Sequence, residues 1–438
     1  MDRIYRLFIW IMFTVSFCSC GQGKTVVWPD GIPLAEDTIT LEILGSIKNG
    51  VITIDKDIDL RGHKCILPPY VTLTFNGGVV KNGTLVGNNT RINGKIPYFD
   101  RVRITGLWDV PTINTTLFKD LSYDNSLKDV VALSNPSIEN EIVIAKGEYF
   151  VSANENNDAC IPISSNTKLT ADGEIRIKPN NLNSYNIIQV KGNNVVIKGN
   201  GVIIGDKHTH TGDTGEWGMG ICMKNVANVI VSGITIKDCW GDCVYIGKKS
   251  KNILIEKCEL VHGRRQGVSI TGGDSITISE CTIKDVGGTN PQYAIDVEPN
   301  SNDSCNQIFI HNVNVENCVG GIVVTKAERK DRPSKAWIGD VIITNCSVSS
   351  TEKYPLRIRS GQYAVIEGNT FFATNEKPAV YLSDVNSVVI KGNTIKVDKN
   401  LFYSVKDGIK RATRRGKYRP IKTVRAVKEM VDDNTVVE

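Results

Sequence analysis

The stretch Val195-Val196-Ile197-Lys198-Gly199-Asn200-Gly201-Val202 carries a pattern that recurs along the second half of this chain. Apolar residues occupy its first, third and eighth positions, and a small or polar residue occupies the fifth. The sixth positions of successive copies are 23 or 24 residues apart, or 32 to 34 where a longer segment is inserted. Eight segments align without a gap: Val195–Val202, Val229–Ile236, Ile253–Leu260, Ile276–Ile283, Ile308–Val315, Val341–Val348, Ala364–Phe371 and Val388–Ile395.

A repeat of about 23 residues that tolerates insertions indicates a β-solenoid, in which each unit is one coil and each insertion is a loop. Residues one repeat apart then lie about 4.8 Å apart on neighbouring strands. Parallel crossovers are overwhelmingly right-handed. We therefore predict an all-β fold, a right-handed parallel β-helix, whose stacked coils turn columns of the sequence into columns on the surface.

The chain divides into four predicted regions. Residues 1–20 place Arg3 and Arg6 before the apolar run Leu7–Phe17, which predicts a signal peptide. The sequence Ser19-Cys20 resembles a bacterial lipobox, which predicts lipidation of Cys20, with ordinary cleavage as the alternative. Either way the protein is expected in the bacterial cell envelope, anchored to the outer membrane or periplasmic. A strand-rich module is predicted over 21–127, the β-helix over 128–400 and a basic tail over 401–438.

Charge and cysteine usage restrict the partners. A net charge of +5 over 438 residues, without an aromatic-studded basic stripe, argues against nucleic acid. Three cysteines share one column of the repeat, which predicts buried small apolar side chains rather than disulfides.

The chain has no Cys-x-x-Cys pair, so we predict no metal site, although His208 and His210 could ligate a metal or close over a groove. Contact with a membrane is expected only through the lipid anchor, and the oligomeric state stays open.

One face of the solenoid gathers acids, bases and aromatic residues. Alternation along Asp242–Ile246 places Val244 and Ile246 inside the coil and Tyr245 outside. Sugar-binding grooves use this mixture, because aromatic rings stack on pyranoses while carboxylates and guanidinium groups hydrogen-bond hydroxyls or carboxylates. Turn capping, ion pairs between coils and surface packing are the structural alternatives. The predicted substrate-binding residues are Trp240, Tyr245, His262, Arg264, Arg265, Gln266 and Tyr293.

Carboxylate spacing provides the predicted catalytic residues, Asp242, Asp296 and Glu298. Asp242 and Asp296 lie two coils apart, about 9–10 Å between backbones, and inverting glycosidases hold their two carboxyl groups roughly 6.5–9.5 Å apart. Asp296 and Glu298 share one strand face about 7 Å apart. Repulsion between two such charges raises the pKa of one of them, which suits a general acid.

Residues 168–297 resemble the polygalacturonase-like proteins, glycoside hydrolase family 28 and its relatives in the pectate-lyase-like superfamily. The segment Gly241-Asp242-Cys243-Val244-Tyr245-Ile246 is similar to that family's Gly-Asp-Asp-Cys-Ile-Ala-Ile strand, and Gln266-Gly267-Val268-Ser269-Ile270 is similar to its Gly-His-Gly-Ile-Ser-Ile strand. The resemblance implies the β-helix fold and carbohydrate chemistry.

The departures from this family are informative. By position, Asp242 matches the second of the family's adjacent aspartates, and Gly241 replaces the first. Met219 stands at the place of a third catalytic aspartate, and Gln266 replaces the histidine. The family's Arg-x-Lys pair, which holds the substrate carboxylate, is replaced by two acids, Asp296 and Glu298. An unmodified polygalacturonase site is therefore not expected.

The leading hypothesis is a glycoside hydrolase that cleaves a polysaccharide, with Asp242 and either Asp296 or Glu298 as the acid/base pair and with no cofactor. Gln266 cannot supply a proton, but its amide can orient a hydroxyl. The second hypothesis is a lyase or epimerase acting on a glycan that contains uronic acid, in which acids could hold Ca²⁺. The third is a surface protein that binds glycans without catalysis.

Overall fold

The structure is a computed structural model that describes residues 47–48, 50–154, 159–326, 335–398, 420–425 and 428–437. From residue 112 onward the chain winds as a parallel β-helix with three long sheets. Each coil passes through the 13-stranded sheet, then the 11-stranded sheet, then the 10-stranded sheet. One continuous apolar core extends from Ile52, which precedes the coils, to Val397 within them.

The 10-stranded sheet carries the outward face on which the candidate site lies. Its strands are Ile161–Ile163, Ser184–Val190, Trp217–Lys224, Asp242–Gly247, Gln266–Ile270, Tyr293–Val297, Gly320–Val324, Leu356–Ile358, Val380–Ser383 and Ile421–Val424. The 11-stranded sheet contains Glu148–Val151, Glu174–Ile177, Val202–Ile204, Thr235–Lys237, Glu259–Val261, Thr282–Lys284, Asn314–Cys318, Ser347–Ser350, Thr370–Ala373, Thr394–Val397 and Thr435–Val437.

The 13-stranded sheet runs along the third side of the coils. Its strands are Thr112–Asn114, Asn140–Ile144, Thr167–Ala171, Val195–Lys198, Ala227–Ser232, Ser250–Glu256, Gly273–Ser279, Ser304–His311, Trp337–Ile338, Asp340–Thr344, Gly361–Glu367, Val385–Lys391 and Lys428–Asp432. A short 3₁₀ helix, Thr115–Leu117, and an α-helix, Ser126–Val131, follow its first strand.

The strand register confirms the repeat alignment made from the sequence. Val195 lies opposite Val229, Val229 opposite Ile253, and the same register continues through all eight segments. The fifth position of every copy has a positive φ, for example 75° at Gly233 and 54° at Asn345. The chain turns there from the 13-stranded into the 11-stranded sheet, and glycine and asparagine enter this left-handed conformation most easily.

The sixth position of the repeat forms an interior ladder. Asn369 donates a hydrogen bond from Nδ2 to Oδ1 of Asn393 at 2.9 Å, and Asn393 donates in the same way to Asn434 at 2.8 Å. These amides also donate to backbone carbonyl oxygens at the corner, so the buried amides of these last coils are hydrogen-bonded. Three of the earlier coils have a buried cysteine at the same position: Cys258, Cys281 and Cys346.

The ten described cysteines are all buried, and none of them forms a disulfide with another described cysteine. Because they act as small core side chains, we expect a reducing agent to leave the melting temperature unchanged. A thiol reagent should label these cysteines only when the coils unfold, which labelling as a function of denaturant would measure. A fall of several degrees in the melting temperature on reduction would contradict this prediction and indicate a stabilising disulfide.

The ends of the β-helix differ from the predicted boundaries. A separate seven-stranded sheet occupies Ile47–Lys48, Val51–Ile54, Ile58–Asp59, Lys64–Ile66, Thr72–Phe75, Val80–Gly94 and Phe99–Trp108. The β-helix begins at Thr112 rather than at residue 128. At the other end, residues 421–437 add one strand to each of the three sheets, where a basic tail is predicted from the sequence. These strands pair with edges that would otherwise be open.

The predicted signal peptide and Cys20 lie outside the described residues. Among the residues that are described, no helix has the length and apolar character needed to cross a membrane.

Candidate functional site

The predicted surface columns are present on the 10-stranded sheet. Asp242 pairs with Gln266, which pairs with Tyr293 in the next coil. In the adjacent column Tyr245 pairs with Ser269, which pairs with Asp296. The structure therefore brings the predicted carboxylates onto one face, because their strands stack in register.

Hydrogen bonds and ion pairs join these side chains into one cluster. Gln266 donates from Nε2 to Oδ2 of Asp296 at 2.5 Å. The Arg265 guanidinium lies between two acids, with Nη1 3.5 Å from Oδ2 of Asp242 and Nε 3.1 Å from Oε2 of Glu216. Gln266 thus contacts a carboxyl group of the site, whereas the sequence analysis expects its amide to orient a substrate hydroxyl, and Arg265 contacts acids of the site.

Burial shifts the pKa of both aspartates upward. Asp296 is 3% exposed, and burial together with the nearby Glu298 charge raises its pKa to about 8. Burial also raises the pKa of Asp242 to about 6, against the lowering effects of Arg265 and of a hydrogen bond with Ser269. At neutral pH one carboxyl is therefore largely protonated while the other is largely ionised, a division that general acid catalysis requires.

Three acceptor atoms of the cluster have no hydrogen-bond partner among the described residues. They are Oδ1 of Asp242, Oδ1 of Asp296 and Oε1 of Gln266. Buried polar atoms are nearly always hydrogen-bonded in proteins, so these atoms mark a place where a ligand, a water molecule or a shared proton is accommodated.

A pocket of about 330 Å³ opens beside Asp296 and Glu298. A second pocket of about 300 Å³ shares Pro291, Tyr293 and Arg357 with it. Cationic side chains line much of both pockets: Lys326, Arg357 and Arg359 in the first, and Lys353, Arg357 and Lys377 in the second. The cleft therefore offers two acids at one end and several cations along its length.

The cationic residues are not among the residues predicted from the sequence. Arg357 lies one coil beyond Val323, which itself pairs with Asp296, so Arg357 belongs to the column of that catalytic candidate. Its place in the same column as Asp296 could have identified Arg357 as a site residue from the sequence. Glu216, the other unpredicted residue, comes from the insertion before strand Trp217–Lys224 and reaches Arg265 across the coils.

The two predicted tyrosines take different positions. Tyr293 is buried and lines both pockets together with Arg357. Its ring lies over Gly320, where a Cβ atom would come within 2.4 Å of it. Tyr245 is half-buried and its hydroxyl lies 2.7 Å from Oγ1 of Thr271. Only the first of these rings is therefore placed at the cleft.

The predictions for Trp240 and Arg264 need correction. The His210 ring stacks on Trp240 with centroids 3.8 Å apart, and the Arg264 guanidinium lies 3.6 Å from the centroid of the same indole. Two planar groups this close to one ring cover its opposite faces, so no face is free to stack on a sugar. Arg264 also donates to the backbone oxygens of Gly215 and Trp240, and it thereby holds the 206–217 loop.

His262 also differs from its predicted role as a substrate-binding residue. It stands in a turn column with Asp238 and Asp285, and its Nδ1 lies 3.0 Å from Oδ1 of Asp238. The column follows the strands of the 11-stranded sheet, whereas the carboxylate cluster lies on the 10-stranded sheet. The contacts of this imidazole are therefore with the turn, and not with Asp242 or Asp296.

Comparison with known proteins gives a family match and several fold likenesses. Residues 169–331 match the family model described as right handed beta helix region. The uncharacterized protein YclG of Bacillus subtilis (strain 168) is 32% identical over 181 residues, which cover 35% of this chain and 31% of that protein. The SPbeta prophage-derived uncharacterized protein YorA of the same strain is 28% identical over 187 residues, 36% of this chain and 32% of that protein. The match thus spans about a third of each relative.

Among solved structures, the A-module of the mannuronan C-5 epimerase AlgE4 of Azotobacter vinelandii aligns with a TM-score of 0.46 and 12% identity, covering 74% of this chain and 97% of that one. The tailspike protein of Escherichia coli bacteriophage HK620, in complex with a pentasaccharide, aligns with a TM-score of 0.45 and 14% identity, covering 68% and 60%. The three parallel sheets and the match over residues 169–331 together give this chain a right-handed β-helix domain, as the sequence predicts.

Proposed function

We propose that this protein is an exported glycoside hydrolase that cleaves an acidic polysaccharide, with Asp296 as the general acid. The observation that carries the proposal is the position of Asp296, a buried carboxyl group that lines a pocket beside a second acid and cationic side chains. Its pKa of about 8 keeps the proton available at neutral pH.

The second acid of the pair is Glu298. It lines the same pocket as Asp296 and lies two residues further along the same strand direction, so the two backbones are about 7 Å apart. This spacing leaves room for a water molecule, as in inverting enzymes. Asp296 would donate its proton to the leaving glycosidic oxygen, while the Glu298 carboxylate accepts a proton from the water that attacks the anomeric carbon.

Asp242 acts on this pair through charge. Asp242 is fully buried, and its negative charge contributes to the raised pKa of Asp296. The Arg265 guanidinium favours the ionised form of both Asp296 and Glu298, and Asp242 partly neutralises this guanidinium. In this arrangement Asp242 and Arg265 are positioning residues that adjust the proton affinity of the acid, rather than direct partners of the substrate.

The cations of the cleft suggest the class of substrate. Arg357 and Arg359 line the pocket next to Glu298, and Lys353 lies across the Tyr293 ring with Nζ 5.4 Å from the centroid. Guanidinium groups bind carboxylates and sulfates in paired hydrogen bonds. A glycan bearing such groups on the sugars next to the cleaved bond would match the charges that line the cleft.

A lyase or epimerase is the second candidate, and a specific observation favours it. Burial lowers the pKa of Lys353, and a lysine with a lowered pKa is a suitable base for removing the proton next to a uronate carboxylate. Arg357, which lines the same pocket, would neutralise the charge that develops. A lyase produces an unsaturated sugar that absorbs in the ultraviolet, whereas a hydrolase produces only new reducing ends.

The test is a cleavage assay on neutral and acidic polysaccharides over a range of pH. We expect new reducing ends without ultraviolet absorbance, and activity that falls as the pH rises through about 8, since Asp296 then loses its proton. Asp242→Asn should move this alkaline limit to lower pH, because it removes a charge that raises the pKa of Asp296 and frees Arg265 to lower it. Asp340→Asn, on the 13-stranded sheet, is the matched control and should leave the limit in place.

Other outcomes would change the assignment. An absorbing product would establish the lyase, and tight binding without any product would establish a glycan-binding protein. An alkaline limit that is identical in wild type and Asp242→Asn would contradict the proposed role of Asp296. Export to the cell envelope is a separate part of the proposal, and fractionation of cells with and without Cys20→Ala would test it.

A further inference from the structure

A cluster of two histidines and an aspartate lies on the turns beside the carboxylate site. Nε2 of His208 is 3.2 Å from Oδ1 of Asp238, and Nδ1 of His262 is 3.0 Å from the same oxygen. One ligand atom from each of the three residues lies within 4.8 Å of the others. Three potential metal ligands therefore converge on one point of the surface.

The fold brings two of these ligands together through coil stacking. Asp238 and His262 follow the neighbouring strands Thr235–Lys237 and Glu259–Val261, and both have a positive φ, 57° and 56°. They occupy the same position of successive coils, so their side chains leave the turn in the same direction. Asp285 holds this position in the next coil, where its Oδ2 is 3.5 Å from Nε2 of His262.

The third ligand comes from an anchored loop. Asp206 is buried and bonds to Nδ1 of His210 at 2.8 Å, and the amides of Thr209 and His210 both donate to its backbone oxygen. Lys207 donates from Nζ to the backbone oxygen of Gly287 at 3.0 Å. His208 lies between these attachments, so its imidazole is held over the turn column even though its side chain is 64% exposed.

Two of the three separations between the ligand atoms are close to those of a metal site. Ligand atoms at about 2.0–2.1 Å from a tetrahedral metal lie roughly 3.3–3.4 Å from each other, close to the two distances from Asp238 to the imidazoles. Two carboxylates contact one imidazole of the cluster, with Oδ1 of Asp238 at 3.0 Å and Oδ2 of Asp285 at 3.5 Å from the ring nitrogens of His262. Imidazole and carboxylate ligands together suit zinc and its neighbours among the transition metals.

We propose that His208, Asp238 and His262 bind a divalent transition-metal ion of the zinc class, with a fourth position open to solvent. The bound ion would join the 206–217 loop to the coils, in addition to the contacts that Arg264 and Arg265 make with Gly215 and Glu216. This site is separate from the proposed catalytic acids and does not depend on the protein being a hydrolase.

The experiment uses the full chain without an affinity tag, freed of metal with a chelator. Titration with Zn²⁺ by calorimetry should give one site per chain, and Co²⁺ should give the intense visible absorption of a four-coordinate ion. We expect His208→Ala and Asp238→Asn each to weaken Zn²⁺ binding at least tenfold and to abolish the Co²⁺ absorption. His311→Ala, on the 13-stranded sheet, is the matched control and should bind as the wild type does.

The side chains of His208 and Asp238 lie at the surface or partly exposed in a turn, so both variants should fold. Circular dichroism of the metal-free variants checks this. A wild-type chain that does not bind Zn²⁺, or variants that bind it as tightly as the wild type, would overturn the proposal. The same holds if the Co²⁺ spectrum is that of the hexahydrated ion.

Discussion

Replacing Asp296 with asparagine should stabilise the protein at pH 8 while it removes catalysis. The folded pKa of Asp296 is about 8, raised from 3.8 mainly by burial. Its contribution to stability is therefore complete below about pH 4 and is lost as the pH rises to about 8. Each pKa unit corresponds to about 1.4 kcal/mol, so an unionisable asparagine should recover several kcal/mol at pH 8 and almost nothing at pH 4.

Thermal unfolding of wild type and Asp296→Asn from pH 4 to pH 8 measures this effect without any substrate. Asparagine keeps an oxygen that accepts the hydrogen bond from Gln266, so the packing is preserved. Loss of the general acid should lower the rate of glycan cleavage by about 10²–10⁴-fold. Parallel melting curves for the two proteins at every pH would show that Asp296 is not a buried acid with a raised pKa.

Replacing Asp206 with alanine should cost more stability than replacing any other residue of the 206–217 loop. Asp206 is 1% exposed and accepts hydrogen bonds from Tyr185, from Asn180 at 2.8 Å and from His210 at 2.8 Å. Its removal leaves several buried polar groups without a partner. Breaking such a network by deleting the charged member costs about 3–5 kcal/mol, which unfolding in denaturant would measure.

The control for this change is Tyr185→Phe, which removes one of the hydrogen bonds and should cost about 1–3 kcal/mol. In Asp206→Ala we also expect faster proteolysis within residues 206–217 and weaker Zn²⁺ binding, since His208 loses its anchor. A stability equal to that of the wild type would mean that the loop is held mainly by Arg264 and Lys207 instead.

The repeat could be predicted from the sequence because coil stacking makes contacts periodic. Val195 and Val229 are 34 residues apart, yet they occupy paired positions in the sheet because an insertion leaves the coil as a loop without changing the register. The same logic placed Asp242, Gln266 and Asp296 on one face. The column that each of these residues joins follows from the repeat length alone.

The contacts made by the loops could not be predicted in this way. Trp240 is predicted as a sugar-stacking residue, but His210 and Arg264 cover its two faces. The path of the 206–217 insertion decides this, and no repeat position describes that path. Likewise Glu216 reaches Arg265, and His208 reaches Asp238, only because the loop folds back over two coils.

By itself, the sequence determined the coil, the strand register and the column in which each outward side chain stands, because these depend on a local pattern repeated at nearly constant spacing. Only the tertiary structure decided which of those side chains are buried, how burial raises the pKa of Asp296, and which cations line the cleft beside it. Burial and charge depend on every group that surrounds an atom in space, including loops distant in the chain, and no single repeat contains that information.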